Sequence, residues 1–189
     1  MTAIQASLRA SLTELIDRYA GRHPDEDEVV RRFREFLAST EELQGKANLR
    51  RHITASTWIV NPTRTRVLLT HHAKLGIWVQ LGGHTDEGED WTTAALREAH
   101  EESGLSDLRL VVPGLFDLDI HEIPARGDAP AHDHYDLRFL VQADDLVPLT
   151  LSEESRALAW VALVNLGQCT DEESQKRMAR KTLGYLPLS

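Results

Sequence analysis

Cysteine is nearly absent from this 189-residue chain. The one present, Cys169, cannot close an internal disulfide, which excludes a disulfide scaffold and makes a reducing, cytoplasmic setting the expectation. Long apolar runs are missing as well. None approaches the roughly 20 residues that a membrane-spanning helix needs, so no membrane partner is expected. The first twenty residues also lack the continuous apolar stretch of a signal peptide. They carry Glu14 and Asp17, while Ile4, Leu8, Leu12, Leu15 and Tyr19 recur at helical spacing, so an amphipathic helix is expected there. Basic residues are in deficit, 21 Lys and Arg against 30 Asp and Glu for a formal charge of −9. That balance argues against sequence-independent binding of nucleic-acid backbones, which needs clustered cations. Repeats and low-complexity linkers are absent. What remains, 41% hydrophobic and 27% charged, suits one globular domain of ordinary size with a modest extension.

The acids are unevenly placed. Between His84 and Glu102 stand seven carboxylates (Asp86, Glu87, Glu89, Asp90, Glu98, Glu101, Glu102) and one arginine, Arg97, so −6 of the −9 falls within 19 residues. Glu98, Glu101 and Glu102 are three and four positions apart, which makes them neighbours on a helix, about 5–6 Å from one another. Each like-charge pair at that spacing costs a helix a few tenths of a kcal/mol, roughly, unless a cation intervenes. Oxygen-rich sets of this kind bind hard divalent cations. The bland alternative is a solvated acidic helix face.

The flanking residues separate the two readings. Gly83 is followed by five residues, Glu89, seven residues, then Arg97-Glu98-Ala99-His100-Glu101-Glu102-Ser103-Gly104-Leu105. This resembles the Nudix box, Gly-x5-Glu-x7-Arg-Glu-U-x-Glu-Glu-x-Gly-U with U apolar, at every fixed position. The resemblance implies an α/β fold, the α/β/α sandwich with a mixed sheet, here preceded by an N-terminal helical extension. It implies a Nudix hydrolase domain over 49–189, which leaves residues 1–48 outside it as the extension. It also implies Mg2+ or Mn2+ as cofactor, a nucleotide-type diphosphate as substrate, and homodimers as a frequent state.

By the same resemblance Glu98, Glu101 and Glu102 are metal ligands, with the Gly83 carbonyl and Glu89 as further metal contacts, Glu89 acting through water or a salt bridge. Glu98 and Glu101 are also candidate catalytic groups. Arg97, four before Glu101 and beside Glu98, is placed to orient carboxylates by charge-assisted hydrogen bonds. Gly82 and Gly83 allow a tight backbone turn at the substrate, and His84 after them is a candidate phosphate contact or else a partly exposed loop histidine. Leu81 stands where family members frequently have Pro. Many Nudix enzymes take one more glutamate from a loop several residues before a late-strand tryptophan. Glu153 and Glu154 precede Trp160 by seven and six positions, and Glu154 is the preferred catalytic candidate over a plain turn.

Periodicity places these residues on elements. A first helix ends near Gly21, and Pro24 with Asp25, Glu26 and Asp27 opens a second whose apolar stripe is Val29, Val30, Phe33, Phe36 and Leu37. The extension they form is expected either to pack on the core or to serve dimerisation. Three strands are expected before the box, in ITASTWIV, TRVLL and IWVQL. The box helix runs from Asp90 or Trp91 to Gly104. Two strands follow around Phe116–Ile120 and Leu137–Val141, joined by a long loop, then one containing Trp160. Thr170 to Glu173 reads as a capping box for a last helix stopping at Gly184.

His134 and Asp136, two apart on an expected strand, face one side, and with His121 across the loop they are a candidate second site; solvated loop histidines are the commoner case. His71-His72 reads as a hairpin end, with Lys74 near the site mouth. The four tryptophans read as core.

The leading expectation is water attack on phosphorus in a nucleoside diphosphate linked to another moiety, or in a nucleotide triphosphate. Substrate markers outside the box are missing: no SQPWPFP-like run follows it, and Pro124 is displaced from the family spacing. A non-catalytic nucleotide sensor is the alternative, disfavoured by the complete box. An isopentenyl-diphosphate isomerase is a further one, and it needs a catalytic cysteine that Cys169, beyond the last strand, does not supply.

Overall fold

The computed structural model describes residues 3–45, 48–127 and 130–185; positions 1–2, 46–47, 128–129 and 186–189, which fall within the two expected segments, lie outside the described residues. The helices are α1 (Ala3–Arg22), α2 (Asp27–Ala38), α3 (Trp91–Ser103) and α4 (Glu173–Thr182). The strands are β1 (Arg51–Val60), β2 (Arg66–His72), β3 (Trp78–Val79), β4 (Leu81–His84), β5 (Arg109–Leu110), β6 (Asp117–Ile123), β7 (His132–Gln142) and β8 (Ser155–Ala162).

The sheet runs β3-β2-β1-β7-β5, with β4 pairing β1, β6 pairing β7 and β8 pairing β2. The ladders β1–β2, β2–β3, β2–β8, β5–β7 and β6–β7 are antiparallel. β1 and β7 run parallel. Asp133 donates its N–H to the Arg50 carbonyl and Ala143 to that of Val60, both at 3.0 Å, so the offset is 83 residues at either end (133 − 50 and 143 − 60). The sheet is therefore mixed, and the class is α/β with N-terminal helices.

Three expectations change in detail. The IWVQL run divides at Gln80, because β3 pairs with β2 while β4 pairs with β1, and four strands precede the box helix. β5, two residues long, is too short to leave a period. Thr170 turns its hydroxyl to the Glu172 N–H (3.1 Å), a local turn two residues on, and α4 starts at Glu173 without a side-chain cap.

The chain divides into two compact units. The first comprises 1–55, 83–95 and 113–139; the second comprises 56–82, 96–112 and 140–189. In the first, the aromatic stripe of α2 buries against β7, with Phe33 and Phe36 at 5.0 and 4.9 Å from the Tyr135 ring. The same unit ties α1 to the start of α3, where the Trp91 indole donates to Ser11 Oγ at 3.2 Å. Gln44 donates to the Glu89 carbonyl (2.8 Å) and accepts from Gly88 N–H (2.9 Å), so the residues ahead of β1 pack on the first part of the acidic segment. The second unit builds its own core from Trp58, Leu68, Leu81, Ala99, Leu140 and Met178, all fully buried, and the Trp58 indole donates to Thr182 Oγ1 at 3.0 Å.

Candidate active site

Within the second unit, α3 carries Arg97, Glu98, Glu101 and Glu102. The Arg97 Nη1 donates to Glu98 Oε1 at 2.9 Å and to Glu101 Oε2 at 3.2 Å, holding two carboxylates with one guanidinium. Glu101 is exposed, Glu98 half-buried and Glu102 only 5% exposed. Glu102 Oε2 accepts the Gly82 N–H at 3.1 Å, so the glycine contributes through its backbone.

Burial raises the Glu98 carboxyl above its ordinary range, with Arg97 pulling the other way. Burial pushes Glu102 up to about 8; the Gly82 N–H opposes this, and the charges of Glu98, Glu154 and Glu101 add to it. Glu154 is thus within electrostatic reach of both Glu98 and Glu102, although it comes from the turn before β8 and is exposed. Its carbonyl accepts the Ala73 N–H at 2.9 Å, which fixes that turn to the end of the β2 hairpin. His72 closes the same hairpin by accepting the Lys74 and Leu75 N–H groups at 3.2 and 3.4 Å.

The sequence-expected residues of the first unit are Gly83, His84 and Glu89. Glu89 Oε2 accepts the Asp86 N–H at 3.1 Å and closes a tight loop ahead of α3. His84 ends β4 with its ring 4.9 Å from His52 and 5.2 Å from His134. His121 and His134 are cross-strand partners in the β6–β7 ladder, and His132 lies 5.1 Å from His134, ring to ring. These histidines stand on strands rather than in a solvated loop, because β6 and β7 extend to Ile123 and from His132. His52, on the first strand, had no signal in the sequence: His132 and His134 reach it through the 83-residue offset between β1 and β7, and His84 through the pairing of β4 with β1.

In the second unit the chemistry of the donor set is clear. Three clustered carboxylates, one of them denied water, repel one another, and a single arginine leaves the set net negative. Oxygen donors in this number fit a hard divalent cation, whose charge satisfies all three and turns an anion-repelling surface into a phosphate-attracting one.

Comparison with known proteins follows the same lines. A family model described as NUDIX domain matches residues 50–182. The asymmetrical bis(5'-nucleosyl)-tetraphosphatase of Rattus norvegicus is 27% identical over 128 residues, 67% of this chain and 82% of that protein. Among solved structures, a C. elegans Ap4A hydrolase binary complex superposes with a TM-score of 0.52 at 19% identity, covering 70% of this chain and 96% of that one. The MutT protein of Methanosarcina mazei Go1 gives 0.57 at 19% identity over 71% and 94%. A Nudix hydrolase from M. smegmatis, RenU, gives 0.54 at 22% identity over 73% and 89%. At these identities the structures speak for the fold.

Proposed function

This chain belongs to the Nudix family as a pyrophosphohydrolase of nucleotide-linked acid anhydrides, and we propose that it works with Mg2+ or Mn2+ on a nucleoside diphosphate joined to another moiety. The observation that carries this reading is Arg97 holding Glu98 and Glu101 together on the helix that also carries the buried Glu102. Dinucleoside polyphosphates fall within that substrate class, and the rat tetraphosphatase supports including them.

Glu98, Glu101 and Glu102 hold the cation, which when bound supplies positive charge to the phosphoryl oxygens. Arg97 keeps Glu98 and Glu101 oriented, and the Gly82 N–H keeps Glu102 turned inward. Glu154 accepts the proton of the attacking water as its oxygen bonds to phosphorus and the anhydride P–O bond breaks. From the family pattern we assign the Gly83 carbonyl and Glu89 as further metal contacts, and Gly82, Gly83 and His84 as substrate contacts. We place the start of the Nudix domain at residue 49, after the helical extension of 1–48, in keeping with the turn from helices to strands and a family match from residue 50. Among the described residues no helix is long and apolar enough to cross a membrane, and with a lone cysteine we place the protein in the cytoplasm.

A product-release screen of the full chain tests this, using nucleoside diphosphate conjugates, dinucleoside polyphosphates and nucleoside triphosphates with Mg2+ or Mn2+. Wild-type protein is expected to turn over at least one class. Glu101→Gln is expected to lose roughly a hundredfold or more, because a direct ligand should cost more than the about 10- to 100-fold of an outer partner. Release equal in the two proteins on every compound would sink the assignment.

A further inference from the structure

We propose that His52, His132 and His134 form a second metal site, separate in its ligands from the glutamates, which takes a borderline divalent cation of the Zn2+ class through three imidazole nitrogens. One ligand atom from each lies within 4.8 Å of those of the other two. The ring centroids are 4.8 Å apart for His52 and His134, 5.0 Å for His52 and His132, and 5.1 Å for His132 and His134. A tetrahedral ion about 2.0–2.1 Å from each nitrogen would set its three rings about 5 Å apart, centroid to centroid. The three rings already have that spacing.

The fold brings them together by simple strand geometry. His132 and His134 are two apart on β7 and so project from one face. β1 runs beside β7 and supplies His52, and all three belong to the first compact unit. The tautomers are also set. His52 Nδ1 lies 3.3 Å from the Asn48 carbonyl and His132 Nδ1 lies 2.9 Å from the Pro130 carbonyl. A carbonyl oxygen only accepts, so each Nδ1 carries the proton and each Nε2 keeps its lone pair. This is how outer partners orient histidine ligands in metal sites. His134 Nε2 is buried with no hydrogen-bond partner among the described residues, a cost that a bound cation removes.

The flanking groups have the same character. His84 and His121 lie 5.2 and 5.5 Å from His134, ring to ring, and His121 contacts Asp119 Oδ2 through Nδ1 at 3.2 Å. A triad of imidazoles with no carboxylate selects Zn2+, Co2+ or Ni2+ over Mg2+, the reverse of the glutamate set. Three ligands also leave the fourth tetrahedral position open to water or an anion.

The test uses tag-free full-length protein carrying Glu98→Gln, Glu101→Gln and Glu102→Gln, so that the glutamates no longer bind metal, with wild-type protein in excess Mg2+ as a parallel arm. Zn2+ is titrated against a chromogenic chelator, and Co2+ is followed by its visible spectrum. One equivalent is expected to bind, with the intense bands of a four-coordinate nitrogen site. His132→Asn and His134→Asn are each expected to weaken Zn2+ at least about tenfold and to abolish the bands, with unchanged circular dichroism. Should His134→Asn not fold, the half-buried His132 at the strand start decides. Absence of the equivalent in both arms, or affinity unaltered by the histidine changes, overturns the site. Hydrolysis is not read in any arm, so failure here leaves the glutamate reading untouched.

Discussion

Glu102 differs from its neighbours in how little water reaches it, and this decides how pH acts on the metal-free protein. Its carboxyl takes up a proton near 8 instead of the ordinary 4.5, burial being the main cause. Between those values the folded chain holds a proton that the unfolded chain has released, so unfolding free energy falls as pH rises through the window and levels off above it. Denaturation in EDTA at pH 5.5 and 8.5 should show wild type losing stability relative to Glu102→Gln, on the order of a few kcal/mol across the window. Parallel behaviour of the two proteins would show that Glu102 is ionised throughout. Arg97 works differently at the same scale: its guanidinium binds Glu98 and Glu101, whereas the buried Glu102 carboxylate accepts a backbone N–H, that of Gly82.

At the level of the element, α3 is held at both ends by contacts that serve the carboxylates between them. Asp90 Oδ1 accepts the N–H groups of Thr92 and Thr93 at 3.1 Å, capping the start. The end is marked by Gly104 at φ +73°, a left-handed conformation costly for other residues. Space is lacking there too. A Cβ on Gly104 would meet Thr150 Oγ1 at 2.7 Å and Thr150 Cβ at 2.8 Å, while the Thr150 N–H is bonded to the Ser103 carbonyl at 2.8 Å and cannot easily retreat. Gly104→Ala should therefore destabilise by about 1–3 kcal/mol from backbone strain and overpacking together. Urea denaturation measures it, and Thr150→Gly in the same chain should return the steric share; a neutral Gly104→Ala would refute the close approach.

Across the whole molecule, charge is distributed by purpose. The acids of the box carry the chain's excess negative charge, whereas the first unit buries a cation among acids. Arg138 is 2% exposed and donates to Asp136 (2.8 Å), Asp117 (3.3 Å) and Asp119 (3.0 Å), three strand residues of β6 and β7. Removing the guanidinium leaves the buried carboxylates of Asp117 and Asp136 without it. Arg138→Met should cost ~3–5 kcal/mol by equilibrium denaturation, the scale for breaking a buried ion pair from one side. A loss within 1 kcal/mol, roughly, would mean the aspartates find other partners or protons.

Much of this was legible from the chain itself. The spacing from Gly83 to Leu105 determined the family, the helix carrying Glu98, Glu101 and Glu102, and its end at Gly104, because helical neighbours and a glycine terminator are local matters of three or four residues. Hydrophobic periodicity likewise determined α1, α2, β1, β6 and β7. Only the tertiary structure decided which carboxylate is dry, that Glu154 acts on Glu98 and Glu102 from a turn some fifty residues on, and that the N-terminal helices pack against β7 and the start of α3 within the first unit. The histidines mark the same division. A strand's alternation puts His134 and Asp136 on one face, but only the structure extends β7 back to His132, and His52 joins these histidines through a parallel pairing 83 residues apart, a long-range choice that no local pattern records.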